Sequence, residues 1–98
     1  MKPHGFHREA LEEYTLAAEY YAGLSPDLGG RFYDEIERLI NEACRAPSLY
    51  RRFRGAVRRH FSTVFPYAIL YEERPDHIRI VAVMSMHRNP DYWERRVD

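Results

Sequence analysis

The sequence predicts an α+β domain in which a helical hairpin packs on one face of a small antiparallel sheet. Apolar residues in the first half recur at three- and four-residue steps, which is the period of a helix. After Pro47 the pattern changes to short runs rich in β-branched and aromatic residues, which are typical of strands. With 98 residues, the chain has enough surface to bury for one core and not for two. We therefore expect a single domain over residues 1–98.

The first helix is predicted over about residues 7–22, with Gly23 as its stop. Its apolar stripe consists of Ala10, Tyr14, Ala17 and Tyr21. Ser25 and Pro26 then form a typical helix start, and the second helix should run to about Ala46. Since two glycines weaken its first turn, Arg31 is the alternative start. The short connection between the helices predicts an antiparallel hairpin.

The second half predicts three strands, joined by tight connections into an antiparallel meander. Their ranges are Val57–Ser62, Phe65–Glu72 and Ile78–Met84. Before the first helix, Pro3 and Gly5 are poor strand residues, so a first edge strand should be short or missing. After the meander, Asn89, Pro90 and Asp91 predict the start of a short C-terminal helix or turn.

The charge is zero overall but unevenly placed along the chain. Residues 1–49 carry five Lys/Arg and nine Asp/Glu, a net charge of −4, whereas residues 50–98 carry ten and six, a net charge of +4. Fourteen of the fifteen cations are arginine, whose planar guanidinium binds carboxylates and phosphates through two hydrogen bonds. The sequence therefore predicts a basic surface for a partner that carries either protein carboxylates or nucleic-acid phosphates.

The order of these elements, together with the residues that mark them, resembles the RelE/ParE family of bacterial toxins from type II toxin–antitoxin pairs. The marking residues include Gly30-Arg31-Phe32, Val57-Arg58-Arg59, Phe65-Pro66-Tyr67, Val81-Ala82-Val83 and Arg88-Asn89-Pro90 with Tyr92-Trp93. The resemblance implies a small toxin that a cognate antitoxin wraps and silences. ParE-like members of the family poison DNA gyrase by binding it, and RelE-like members cut messenger RNA on the ribosome.

The ParE-like branch is the better match because of one central-strand residue. RNA-cleaving relatives place an arginine just after an aromatic residue in that strand, and here Tyr67 is followed by Ala68. Alanine supplies neither charge nor proton for phosphate chemistry. We therefore expect a binder of a protein target. An endoribonuclease is the alternative, and its substitute catalytic set would be Arg58, Arg59, His87, Arg88 and Tyr92.

The predicted partner-binding residues lie in the arginine-rich first strand and in the tail. They are Arg51, Arg52, Arg54, Arg58, Arg59, Arg88, Tyr92 and Trp93. Arg58 and Arg59 should point to opposite faces of the sheet. Two roles stay open for Trp93, which either pins the tail to the sheet or anchors an interface. For the arginines, the alternative is a solvated strand edge.

No pattern in the sequence predicts a metal site or a cofactor. The five histidines and Cys44 lack the spacing of metal ligands, and no glycine-rich loop is built to hold a phosphate. Cys44 falls in an apolar helical pattern, which favours a buried thiol. There is no membrane-spanning run and no apolar signal-peptide core near Met1, so we expect a cytoplasmic protein without a membrane partner.

Overall fold

The structure is a computed structural model that describes residues 1–97, and it has the predicted α+β class. Its elements, in chain order, are β1 (His4–Phe6), α1 (Arg8–Leu24), α2 (Pro26–Arg45), β2 (Arg52–Arg54), β3 (Val57–Phe61), β4 (Tyr67–Glu73), β5 (Ile78–Ser85) and a final 3₁₀ turn (Glu94–Arg96). The two helices lie against each other as a hairpin and pack on one face of the sheet.

Within residues 1–97 the sheet has five strands in the order β1-β5-β4-β3-β2, and the predicted count of three was wrong. The meander of β3, β4 and β5 is antiparallel, as predicted. The two further strands lie at its edges. β1 pairs with β5 in parallel, and β2 pairs with β3 in an antiparallel hairpin. The sheet is therefore mixed.

The first edge strand is short, which was one of the two expected outcomes. β1 runs from His4 to Phe6 beside Ile78 to Ile80 of β5. His7 ends the pairing, since its amide donates to the Ile80 carbonyl at 2.8 Å. The same residue caps α1, because its Nδ1 accepts a hydrogen bond from the Glu9 amide at 3.0 Å. Beyond Ile80, no strand in the described part of the chain lies beside β5 on this side.

The sequence contained a signal for β2 that the strand assignment missed. Arg52 and Arg54 flank Phe53, which packs against the core on the face away from the helices. Gly55 and Ala56 then connect β2 to β3, and Gly55 has φ of +53°, the left-handed conformation that tight hairpins need. A glycine two residues before Val57 marks a hairpin turn, but three residues are too few to show a strand period.

At the connection between the helices, α1 is longer than predicted, because it continues through Gly23 to Leu24. α2 starts at Pro26 after Ser25, as predicted, and not at the alternative start Arg31. Gly29 is needed for this close contact, because a Cβ on it would lie 2.6 Å from the Cβ of Ala22. The glycine that weakens the first turn of α2 locally therefore allows α1 and α2 to pack closely.

The core lies on both faces of the sheet. On the helix side, Phe32, Ile36 and Ile80 are fully buried, and the predicted core residue Tyr14 is 6% exposed. Tyr21 and Tyr67 are partly buried and pack on this core, as predicted. Cys44 is buried, as expected, and burial raises the pKa of its thiol. The opposite face carries a smaller core around Leu70, Ala82 and Trp93.

Candidate functional site

The β2 edge of the sheet carries the exposed arginines that the sequence predicted. Arg51, Arg52 and Arg54 are all exposed. Arg54 also forms an ion pair with Asp91, which joins this edge to the C-terminal tail. Exposed arginines in a row at a sheet edge form a surface on which an acidic segment can pair with both charge and main chain.

Arg58 and Arg59 point to opposite faces of the sheet, as predicted. The Arg58 guanidinium donates to the Tyr50 carbonyl at 2.8 Å, so it ties β3 to the loop after α2. The guanidinium of Arg59 stacks on the Phe53 ring, with its carbon 3.7 Å from the ring centroid, and lies 4.5 Å from that of Phe61. Burial and then the nearby Arg54 lower the pKa of Arg59. Arg58 is a structural contact here, and Arg59 faces the side away from the helices.

Trp93 is 1% exposed, so in this structure it pins the tail rather than offering a free interface anchor. Its ring packs in the core on the face away from the helices, 6.0 Å from the ring of Phe53. Its Nε1 donates to the Pro90 carbonyl at 2.6 Å, so the polar atom of this buried side chain has a partner. The tail thus covers a sheet face that the helices leave free.

Arg88 and Tyr92 lie together beside the open part of β5. The Arg88 guanidinium carbon is 3.9 Å from the Tyr92 ring centroid, and that of Arg96 is 4.9 Å away. Burial raises the pKa of Tyr92, and the neighbouring Glu13 carboxylate adds to the shift. Arg88 remains exposed. The pair presents one accessible cation on an aromatic surface.

Sequence reasoning missed two acidic residues of α1 that hold the tail. Glu9 binds Arg95 through both carboxylate oxygens, at 2.5 and 2.6 Å, and Glu13 binds Arg96 in the same way. The hydrogen bonds from Arg95 are the main reason that the pKa of Glu9 falls to about 2. Spacing of four residues along α1 shows that the two acids share a face, but nothing in one sequence indicates which arginines they bind.

The five residues of the substitute ribonuclease set do not converge in this structure. Arg88 and Tyr92 are together, whereas Arg59 lies opposite Leu70 of β4, and Leu70 lies opposite Ala82 of β5. Two strand spacings, about 10 Å, therefore separate the Arg59 backbone from that of β5. Arg58 points to the other face, and His87 is exposed. At the position where RNA-cleaving relatives carry arginine, Ala68 is fully buried.

Among residues 1–97, no group of three or more His, Cys, Asp and Glu side chains is arranged to hold a metal ion. The helices in this part of the chain also include none that is long and apolar enough to cross a membrane. Arginine and aromatic side chains like those described above are enriched at contacts between proteins.

Comparison with known proteins agrees with this architecture. The family described as ParE toxin of type II toxin–antitoxin system, parDE, matches residues 5–90. The chain belongs to the ParE toxin family. A comparison with curated protein sequences gave no match.

One solved structure similar to this ParE toxin is described as the chromosomal ParDE TA system from P. aeruginosa. The similarity has a TM-score of 0.73 and 16% sequence identity, and it covers 87% of this chain and 96% of that chain. At this identity the likeness establishes the fold. The family match ends at Pro90, so Trp93, Arg95 and Arg96 of the tail lie beyond the matched residues.

Proposed function

We propose that this ParE toxin acts in the cytoplasm by binding and inhibiting DNA gyrase, and that a cognate antitoxin neutralises it. Family membership supports toxin action. The observation that favours binding over RNA cleavage is the separation of the candidate catalytic groups, because phosphoryl chemistry needs cations and a proton carrier within hydrogen-bond reach of one another. In this fold Arg58 and Arg59 lie on opposite faces, away from Arg88.

The surface proposed for the target lies at the end of the sheet where β3 and β5 stop. Phe61, Val64 and Met86 are 43%, 60% and 41% exposed there. The hydrogen bond from the Met86 amide to the Pro66 carbonyl, at 2.9 Å, holds this end together. Exposed apolar side chains next to an arginine that stacks on an aromatic ring are typical of protein–protein interfaces. We name Phe61, Val64 and Met86 the end surface.

The antitoxin is proposed to dock on the arginine edge formed by Arg51, Arg52 and Arg54. The similar solved structure is a ParDE toxin–antitoxin system, which supports an antitoxin partner for this chain. An acidic antitoxin segment is expected to pair with these exposed side chains. Because such pairs are exposed, their contribution should weaken as salt increases.

A gyrase assay with matched variants tests the proposal. Purified toxin should inhibit supercoiling or trap cleaved DNA, and Phe61→Glu or Met86→Glu should relieve the inhibition by about tenfold or more, since a charge in an apolar contact is costly. Leu49→Glu is the control, because Leu49 is 71% exposed and lies outside the end surface. Primer extension on translating ribosomes tests the alternative, because a ribonuclease would produce toxin-dependent cuts in messenger RNA. Toxin-dependent cuts that disappear in His87→Ala or Arg58→Ala would contradict the proposal.

A further inference from the structure

Arg59 belongs to a stack of three side chains on the sheet face away from the helices. Its guanidinium carbon is 3.7 Å from the centroid of the Phe53 ring and 4.5 Å from that of Phe61. Stacking on aromatic rings fixes the plane of a guanidinium and leaves the N–H groups at its edge free to bond to an anion. We call Phe53, Arg59 and Phe61 the arginine stack.

The charge of Arg59 has no counterion in the part of the chain that the structure describes. Its guanidinium nitrogens make no hydrogen bond and no ion pair there, and they are not among the enclosed polar atoms that lack a partner. Burial, and then the nearby Arg54, lower the pKa of Arg59, so its surroundings disfavour the charged form. A bound anion offsets this cost. The arginine stack therefore has the properties of an anion site that is open to solvent.

The arginine edge flanks this stack. The Arg59 amide donates to the Arg51 carbonyl at 3.1 Å, and the Arg54 guanidinium carbon lies 5.2 Å from the centroid of the Phe53 ring. Residues 50–62 contain five arginines and no Asp or Glu. A single carboxylate neutralises one of these side chains, whereas a ligand with regularly repeated negative charge neutralises several at once.

The phosphate backbone of duplex DNA is such a ligand. Each of its strands carries one negative charge per about 3.4 Å, and arginine binds phosphate oxygens through two parallel hydrogen bonds. Single-stranded nucleic acid is instead bound by stacking of successive unpaired bases on free aromatic rings. In the arginine stack, Phe53 already packs against Trp93 and beneath Arg59, and only Phe61, at 43% exposed, offers ring surface to solvent. The stack therefore favours a duplex.

The charge of the remaining chain restricts DNA to this surface. Residues 1–49, which include both helices, carry a net charge of −4, and the helices pack on the other face of the sheet. At the arginine edge, Asp91 pairs with Arg54, so that arginine is partly neutralised. We therefore count about three to four phosphate contacts at the stack and the edge together.

We propose that the arginine stack and the arginine edge bind the phosphate backbone of duplex DNA, and that Arg59 holds one phosphate through two hydrogen bonds. Contacts of this kind position a protein on DNA and read no base sequence. The stack shares Phe61 with the end surface, so one side of the toxin could contact gyrase and its DNA together. Since the antitoxin is proposed to dock on the same arginine edge, antitoxin and DNA exclude each other there.

Fluorescence anisotropy of a labelled duplex, titrated with the full toxin, tests the proposal. With a duplex of about 20 base pairs and about 50 mM salt, the dissociation constant should lie below about 100 μM, as for other sequence-independent DNA contacts. The logarithm of the binding constant should fall with the logarithm of salt concentration with a slope of about −3, because each phosphate contact contributes about 0.9. Absence of binding under these conditions overturns the proposal.

Two changes of Arg59 test the stack itself. Arg59→Gln should weaken DNA binding by about tenfold and make the salt slope shallower by about 1. Arg8→Gln is the matched control, because the Arg8 side chain is 85% exposed on α1, on the other face of the sheet, and it should change affinity by less than about twofold. Equal effects of the two changes overturn the proposal.

Arg59→Lys separates the planar guanidinium from the charge. Lysine keeps the charge but has no planar fork to stack on Phe53 or to bind a phosphate through two bonds. The variant should therefore keep the salt slope and lose at least about threefold in affinity. Wild-type affinity in Arg59→Lys overturns the proposed role of the stack. Circular dichroism of each variant establishes that a loss of binding occurs in a folded protein.

Other anionic ligands are distinguished in the same assay. Poly-glutamate of matched charge that competes better than the unlabelled duplex would assign the surface to an acidic protein segment, and it overturns the proposal. Tighter binding of a single strand of the same length would assign the surface to unpaired nucleic acid, with the same consequence. Because the assay contains neither gyrase nor antitoxin, failure of DNA binding leaves the proposed target and the proposed antitoxin partnership standing.

Discussion

Arg96 in the C-terminal tail binds Glu13 in the first helix through two hydrogen bonds of 2.9 Å, although 83 positions separate them in the chain. The side chain of Arg96 is 4% exposed and that of Glu13 is 15% exposed. Both side chains also bond to main-chain groups of β5 on the side where β1 has ended. Arg96 donates to the Val81 carbonyl at 3.1 Å, and Glu13 accepts from the Val83 amide. The ion pair therefore occupies main-chain groups that a longer β1 would have bonded.

Breaking this pair from the Glu13 side should be strongly destabilising. Glu13→Gln removes the carboxylate that hydrogen-bonds the buried guanidinium and leaves only the Glu9 carboxylate, 3.8 Å from the Arg96 Nε. Removal of one partner of a buried pair typically costs about 3–5 kcal/mol, and we expect the loss near the lower end of that range because Glu9 remains. Burial alone would lower the pKa of Arg96, but the hydrogen bonds to Glu13 raise it above the ordinary value. The guanidinium therefore stays charged and cannot avoid the cost of burial by losing its proton. Urea unfolding measures the loss.

A double-mutant cycle separates the pair from its surroundings. Glu13→Gln combined with Arg96→Met should recover part of the lost stability, since no buried charge is then left alone. Arg8→Ala is the control, because its pair with Glu12 is exposed and 3.9 Å long, and it should change the free energy of unfolding by less than about 0.5 kcal/mol. If the loss in the double variant equals the sum of the losses in Glu13→Gln and Arg96→Met, the pair itself adds nothing.

Removal of the Trp93 side chain should cost about 3–5 kcal/mol, which is typical when a buried aromatic residue becomes alanine. The ring is 1% exposed and fills the core on the face away from the helices. If Trp93 anchored an interface, which is one of the two roles that the sequence leaves open, deletion from Asn89 onward would leave the core largely intact. With Trp93 and Arg96 both buried, we now expect that deletion to destabilise the whole domain.

Thermal unfolding of Trp93→Ala and of the chain ending at Arg88 measures this contribution. Tyr20→Ala is a suitable comparison, because Tyr20 is 62% exposed, and it should unfold close to the wild type. A truncated chain with a wild-type midpoint would show that the tail is dispensable for folding, contrary to the packing of Trp93.

The sequence predicted those parts of the molecule that local patterns control. The apolar period identified both helices, and the runs around Ile69 and Val81 identified the central strands. Contacts between distant segments were not predictable. The parallel pairing of β1 with β5, the binding of Arg96 by Glu13 and the burial of Trp93 all depend on which segments meet, and a single sequence contains no periodic signal for that. The arginine edge was found because its residues are neighbours in sequence.

Two glycines in α2 should respond to alanine in opposite directions. Gly29→Ala places a Cβ 2.6 Å from the Cβ of Ala22, so the helices must separate, and overpacking of this kind typically costs about 1–3 kcal/mol. Gly30→Ala meets nothing within 4 Å and should stabilise by about 0.5–1 kcal/mol through helix propensity. Chemical denaturation of the two variants measures the change in the free energy of unfolding for each. Stabilisation by Gly29→Ala would mean that α1 and α2 are not packed this closely.

The ion pair between Glu9 and Arg95 should make stability depend on acid pH. The Glu9 carboxyl has a pKa of about 2 in the folded protein against an ordinary value of 4.5, chiefly because Arg95 hydrogen-bonds to it. A lowered carboxyl pKa stabilises the folded state above the ordinary value, and this contribution is lost as the pH falls from about 4.5 towards 2. Glu9→Gln should therefore show a smaller decrease in the free energy of unfolding between pH 5 and pH 2.5 than the wild type.

Glu12→Gln is the matched control for this titration. Glu12 lies on the same helix, is 61% exposed, and has its nearest cation, Arg8, at 3.9 Å, so its removal should leave the wild-type pH dependence unchanged. Glu35 and Glu42 also have lowered pKa values, mainly through hydrogen bonds to Arg38 and His60 respectively. A reduced acid dependence therefore remains in Glu9→Gln. If Glu9→Gln and the wild type lose stability in parallel across this range, Arg95 does not hold the Glu9 carboxylate in solution.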